Sequence, residues 1–309
     1  LKLYLVDKYW FNFEKWSVSA PKIDDYEYAF AIIGDTQRVN YYYPDQFSII
    51  YDWLEDNAES KKIKYVIGLG DITDKDEEAE WNRAKAGFEQ LYGIGLDHIQ
   101  VRGNHDTSAS FEAFFSKDTN YTGSIVGSYN GMMANSYKLV SVGDVKYLML
   151  ALDYGADDNV LAWADSVVES YPTYNVIVIT HGYLDRDGTV IDKQGNLPPS
   201  LTGGVNDGID IWNKFVSKHE NITMVLSGHV YCDNIVTSTQ QGENGNTVTQ
   251  FLIDPQQMDK STPTGMIALF YFSKDGRKLQ IQYYSPILGL YEITSPVTTL
   301  TLDVLSNLP

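Results

Sequence analysis

A chain of 309 residues, 43% hydrophobic and 21% charged, is long enough to bury a full core and has the composition of a folded globular protein. Its net charge of -18 argues against a broad nucleic-acid surface, which needs clustered Lys and Arg, but not against a small phosphorylated substrate held at a metal, where the ion supplies the positive charge. The single cysteine, Cys232, excludes internal disulfides and a cysteine-rich zinc site.

No apolar run approaches the ~18 residues of a membrane span. The chain opens on Leu1 with no signal-peptide pattern behind it, which reads as a processed product or a domain of a longer chain. Heavy use of Tyr, Asn, Thr and Gly beside sparse Lys and Arg points to an extracellular or cell-surface home.

Residues 1–25, with Trp10, Phe11, Phe13 and Trp16, read as a strand-like extension packed on one main domain, residues 26–309. From Tyr28 a continuous apolar run to Ile33 has strand length and ends at Gly34-Asp35. After a Tyr-rich loop, Pro44 suits a helix start, and Phe47, Ile50, Tyr51 and Leu54 follow at helical spacing. A second buried strand over 65–69 runs into Gly70-Asp71. Trp81, Ala84, Phe88 and Leu91 mark another amphipathic helix, and Ile99-Gln100-Val101 leads into Arg102-Gly103-Asn104-His105-Asp106. Two strands are expected within 135–142 and 145–152, a helix over 159–168, and a strand over 175–180 ending at His181. A helix near Trp212, Phe215 and Val216 precedes a strand over 223–226 that ends at Gly228-His229. Strand-like stretches at 234–238, 248–253, 267–272, 279–284 and 297–305 close the chain. Apolar strands alternating with helices indicate an α/β body, with a second sheet packed on it from the strand-rich final third.

Five strand ends carry polar residues where open α/β sheets place ligands: Asp35-x-Gln37, Gly70-Asp71-x-x-Asp74, Gly103-Asn104-His105-Asp106, Thr180-His181 and Gly228-His229-x-Tyr231. This ordered set resembles the calcineurin-like metallophosphoesterase superfamily over about residues 28–285. The resemblance implies a four-layer α/β/β/α sandwich of two mixed sheets flanked by helices, with two metal ions between the strand ends.

Carried over residue by residue, Asp71 would bridge both ions. Asn104, His181 and His229 would complete the second position, a set that suits Mn²⁺, Fe²⁺ or Zn²⁺. The first position departs from the family pattern, because Gln37 and Tyr231 stand where imidazoles are usual. Asp35, Gln37, Asp71 and Tyr231 form an all-oxygen set that favours Mg²⁺, Ca²⁺, Mn²⁺ or Fe³⁺. Tyr231 reads either as a phenolate ligand or as a space-filler beside a weak first position.

The resemblance implies a metal-dependent phosphoester hydrolase, a phosphomonoesterase or phosphodiesterase on a small substrate. His105 would protonate the leaving group, with Asp74 or Asp106 holding its ring. Tyr41, Tyr42, Tyr43 and Tyr183 could line a cleft, Asp185 and Asp187 would make its rim acidic, and Arg102 could steer phosphate or pair with a carboxylate. The competing reading is a catalytically weak or inactive metal-binding member that binds a ligand or partner. Loss of two imidazoles motivates it, and the intact Asp35, Asp71, Asn104 and His105 argue against it.

Overall fold

The computed structural model describes residues 15–193, 206–260, 262–294 and 299–305. Strand β2 (Tyr28–Ile33) shows how the layers arise. Tyr28, Phe30 and Ile32 point into the seam between two sheets, whereas Ala29, Ala31 and Ile33 face helices on the other side. Both faces are covered, so the strand is apolar without alternation.

The first sheet runs β1 (Trp16–Ser17), β14 (Leu290–Glu292), β13 (Lys278–Ser285), β12 (Ile267–Phe272), β2, β3 (Ile63–Gly68) and β4 (His98–Gln100), with β15 (Thr299–Thr301) also on β13. The second runs β10 (Val236–Gln241), β11 (Thr247–Leu252), β9 (Ile222–Ser227), β8 (Asn175–Thr180), β7 (Val145–Leu152), β6 (Ser136–Val142) and β5 (Gly127–Ser128). Phe30, Tyr147, Ile179, Phe251 and Phe270 interlock between the sheets. Truncating Phe30 to Ala there would cost about 3–5 kcal/mol.

Helices α1 (Gln37–Tyr42), α2 (Pro44–Asn57), α3 (Glu78–Gly93), α4 (Ser108–Phe115) and α5 (Thr119–Ser124) accompany the first sheet. Helices α6 (Asp158–Ser170) and α7 (Gly208–Lys214) cover the second. This is the expected α/β/β/α sandwich of two mixed sheets.

Pro44 opens α2, and Phe47, Ile50, Tyr51 and Leu54 are its buried face, as their spacing indicates. The Tyr-rich stretch expected to be a loop is instead helix α1, whose inner face buries Gln37, Val39 and Asn40. Two polar residues on that face hid its period. Helices α4 and α5 were also unforeseen. In the N-terminal extension, Trp10, Phe11 and Phe13 lie outside the described residues, while Trp16–Ser17 pairs antiparallel with residues 291–292.

Strands β2, β3 and β4 are mutually parallel, as are β7, β8, β9 and β11. Their carboxyl ends supply the loops that carry the polar residues below. Asp35, Asp71 and Asn104 follow the first set, and Asp153, His181, His229 and Asp254 follow the second.

Candidate metal centre

The strand ends close on one another because their loops are built for near contact. A Cβ on Gly103 would lie 2.1 Å from Asp71 Oδ1, and one on Gly228 would lie 2.2 Å from Asp35 Oδ1. Only glycine lets these backbones approach the two carboxylates so closely. Asp71 and His229 themselves take left-handed conformations, with φ of 48° and 72°. Such strain in non-glycine residues costs about 1–3 kcal/mol each and concentrates at functional sites.

Asp35, Asp71 and His181 are buried and bring ligand-type atoms within 4.8 Å of one another. His181 Nδ1–H donates to the Leu69 carbonyl at 2.7 Å, which turns Nε2 toward the site. That nitrogen faces Asn104 Oδ1 at 3.1 Å and Asp71 Oδ2 at 3.3 Å. One nitrogen and two oxygens converge on a single point, which a proton on Nε2 serves without metal and a cation would take in its place. The His229 ring lies 5.0 Å from that of His181, and burial, then the neighbouring His181, push its pKa down to about 4. Its imidazole is therefore neutral and able to ligate. Asp71, Asn104 and His181 thus meet at one point, with the His229 ring beside them.

Around Asp35 the contacts differ. The His229 backbone N–H donates to both carboxylate oxygens, at 3.3 and 3.2 Å, and Gln256 Nε2 donates to Oδ2 at 3.2 Å. Gln37 Nε2 reaches Asp71 Oδ2 at 3.2 Å and Gln256 Oε1 at 3.0 Å, while Gln37 Oε1 is buried without a hydrogen-bond partner. Burial, then the charges of Asp254 and Asp71, hold the Asp35 carboxyl well above the usual carboxylate range. For Asp71 burial acts upward too, but contacts with His181 and His105 outweigh it and the net shift is downward. His181 is the counterpart: burial alone would lower its pKa, yet Asp71 and the Leu69 carbonyl raise it.

Tyr231 stands differently from the expected ligand. It is 44% exposed, with the Arg186 guanidinium 4.9 Å above its ring and Arg186 Nη1 3.4 Å from its hydroxyl. The phenol is engaged at the surface, whereas the buried group beside Asp35 is Asp254.

His105 is held by the loop after Asp71. Its backbone N–H donates to Asp71 Oδ1 at 2.8 Å, and its Nδ1–H donates to the Asp74 carbonyl at 2.9 Å. The Asp74 carboxylate is farther away, at 3.7 Å. Glu80 at the start of α3 fixes that loop by accepting from the backbone of Asp74, Lys75 and Glu77. Asp106 has another task. Its carboxylate accepts from Ile72 N, Thr73 N, Thr73 Oγ1 and Gly103 N, tying the β3 and β4 loops together away from the His105 ring.

A cavity of about 350 Å³ opens beside Asn104, lined by Arg102, Tyr129, Asn135, Asp153, Tyr154 and Asp157 among others. Arg102 pairs with Asp153 at 2.6 Å, which favours the pairing role over free phosphate steering. Tyr154 lies at 3.4 Å from His229 Nε2 through its hydroxyl. Tyr183 does not line a cleft: it is fully buried in the outer core of the second sheet. Tyr42 is exposed and Tyr41 stacks under Lys75. Sequence reasoning missed Asp153, Tyr154, Asp254 and Gln256. The available signal was the same one used elsewhere, a polar residue directly after an apolar strand.

A family model described as calcineurin-like phosphoesterase matches residues 28–233. Among curated proteins, the uncharacterized protein YvnB of Bacillus subtilis (strain 168) is 28% identical over 275 residues, covering 84% of this chain. The match spans 20% of that relative's length. A dimetal phosphatase from Danio rerio superposes with a TM-score of 0.59 at 14% identity, over 91% of this chain and 100% of that one. Purple acid phosphatase PPD1 from yellow lupin, Lupinus luteus, gives 0.51 at 12% identity, over 91% of this chain and 54% of that one. At these identities the two structures speak for the shared fold.

Proposed function

The chain belongs to the calcineurin-like phosphoesterase family, and on that premise we propose that it is a metal-dependent hydrolase of a small phosphate ester. The observation that carries this reading is the His181 nitrogen, its partner nitrogen committed to Leu69, facing two oxygen acceptors in a buried site. Asp71, Asn104, His181 and His229 would hold one ion, and Asp35 with Gln37 would take part in holding a second, with Asp71 between. Bound ions would supply charge neutralisation for the phosphoryl group and an activated water.

The chain's own groups then divide the work. His105, with Nδ1–H fixed on Asp74 O and its side chain 37% exposed, is poised to deliver a proton from Nε2 to the leaving oxygen. The cavity beside Asn104 receives the substrate's remainder, and its Tyr129 and Tyr154 suit a ring-bearing group. Asp157 on the same wall, with Asp153 and Arg102 already paired to each other, disfavours a polyanionic one. An extracellular or cell-surface setting is part of this reading, supported by the composition; fractionation of expressing cells tests it.

The test of activity is hydrolysis of an aryl phosphate and a bis-aryl phosphodiester by chelated protein, before and after adding Mn²⁺, Zn²⁺ or Fe²⁺. Metal-restored turnover of either ester supports the proposal. Absence of turnover with every ion, in protein shown to bind metal, refutes it.

A further inference from the structure

Asp254 and Gln256 follow β11 as His229 follows β9, yet no expected ligand accounts for them. Asp254 is 0% exposed and Asp35 is 1% exposed. Their carboxyl groups are within hydrogen-bonding reach of each other. Gln256 clasps the pair with one amide nitrogen, 2.8 Å from Asp254 Oδ2 and 3.2 Å from Asp35 Oδ2. The Gln256 backbone N–H holds the other Asp254 oxygen at 3.0 Å.

Among the described residues neither carboxylate has a Lys or Arg among its main influences, and the cationic group that acts on Asp254 is His181. Arg38 stops one group short, donating to Gln256 Oε1 at 3.1 Å. Two buried carboxylates in contact cannot both stay charged without a cation or a shared proton. The independent sign of a ligand is Gln37: it is 1% exposed, its Nε2 touches Asp71 and Gln256, and its Oε1 has no partner.

We propose that Asp254 is a metal ligand of the first position, supplying with Asp35 and the Gln37 carbonyl a hard, oxygen-only site for a divalent or trivalent cation, with Gln256 as its positioning residue. The inference rests on the dinuclear reading above but extends it to a residue beyond the matched span of 28–233. In this site a carboxylate stands as a donor where neutral imidazoles are usual, and it adds a negative charge that they would not bring. Oxygen-only ligation favours Mn²⁺, Mg²⁺ or Fe³⁺ over Zn²⁺ at this position. Tyr231 is then free to face solvent with Arg186.

Metal binding, read without substrate, tests the assignment. Chelated wild-type protein titrated with Mn²⁺ in a calorimeter, with content checked by mass spectrometry, should take up two equivalents. Asp254→Asn should keep one with unchanged affinity and lose the other by roughly 100-fold. Gln256→Ala should weaken that same equivalent by about 10-fold, within the usual range for groups that orient a ligand. The retained equivalent certifies the folded site in each variant. Two undiminished equivalents in Asp254→Asn would overturn the proposal, as would uptake of only one by the wild type. Should Asp254→Asn not fold, undiminished affinities in Gln256→Ala decide against it. A protein that binds two ions and hydrolyses nothing leaves this assignment standing and sinks the catalytic reading instead.

Discussion

Asp35→Asn should invert the stability order of variant and wild type depending on metal. Asp35 and Asp71 place charged oxygens within 4.8 Å in a buried site. Two unit charges at that separation and an effective dielectric of ~20 repel by about 3.5 kcal/mol. Burial and the charges of Asp254 and Asp71 hold the Asp35 carboxyl well above the usual range, so the chelated protein bears this penalty either as repulsion or as the cost of keeping a proton. Asparagine removes the charge and keeps the hydrogen bonds, since the donors His229 N and Gln256 Nε2 both reach Asp35 Oδ2. The variant should gain about 3 kcal/mol in chelator. With unfolding entropy of ~2.1 cal/mol/K per residue over this chain, that is a rise of roughly 4–5 °C in melting temperature.

Metal reverses the order. A ligand at 1,000 times its Kd stabilises the state that binds it by about 4.1 kcal/mol, roughly 6 °C here. The wild type gains this from the first position and the variant does not, while any gain at the second is common to both. Scanning calorimetry at pH 7.5, in chelator and across a Mn²⁺ series, should show the two melting curves crossing. A variant that melts below wild type in chelator would refute the electrostatic reasoning.

His105→Ala should lower turnover by about 10²–10⁴ with metal content unchanged, because the ring is fixed by Asp74 O and contacts no ligand through Nε2 among the described residues; loss of metal in the variant would reassign it as a ligand. Tyr231→Phe should leave metal stoichiometry unchanged, since the hydroxyl it removes lies against Arg186; a lost equivalent, read by mass spectrometry, would restore the phenolate reading. Chelated protein should lose stability as pH rises from about 4 to 7. Burial holds Asp106 and Asp254 up at about 6 and Asp259 at about 7, so the folded state binds protons that the unfolded chain has already released. His229, lowered to about 4, and the buried His98, also lowered, work in the opposite direction, but burial raises Asp35 and Asp153 alongside the three carboxyls; melting temperatures that climb over this window would contradict the assignment.

The fold was largely legible because its strands are buried on both faces. Runs such as Val176–Ile179 cannot be confused with solvated loops, and a strand over 175–180 was expected and found. Helix α1 was not, because its inner face is partly polar: Gln37 and Asn40 are buried for their contacts with Asp71, Ile72 O and Glu80 O, and apolar periodicity does not register such residues. The site divided along a similar line. Asn104 and Asp71 could be placed by motif, since each follows a glycine whose missing Cβ the geometry needs, and His181 because it directly ends a buried apolar strand. Asp254 has no such flag. It precedes Pro255 and reads as a turn, and its meaning depends on β11 lying parallel to β9, a pairing of residues some 25 positions apart that composition does not encode. Asp35 and Asp254 therefore carry complementary information: the first is recognisable in the sequence but lacks imidazole company, and the second supplies a charge in the fold at the place where that company is missing. Neither carboxylate can neutralise the other, so their burial side by side is explained by the cation that the pair would hold.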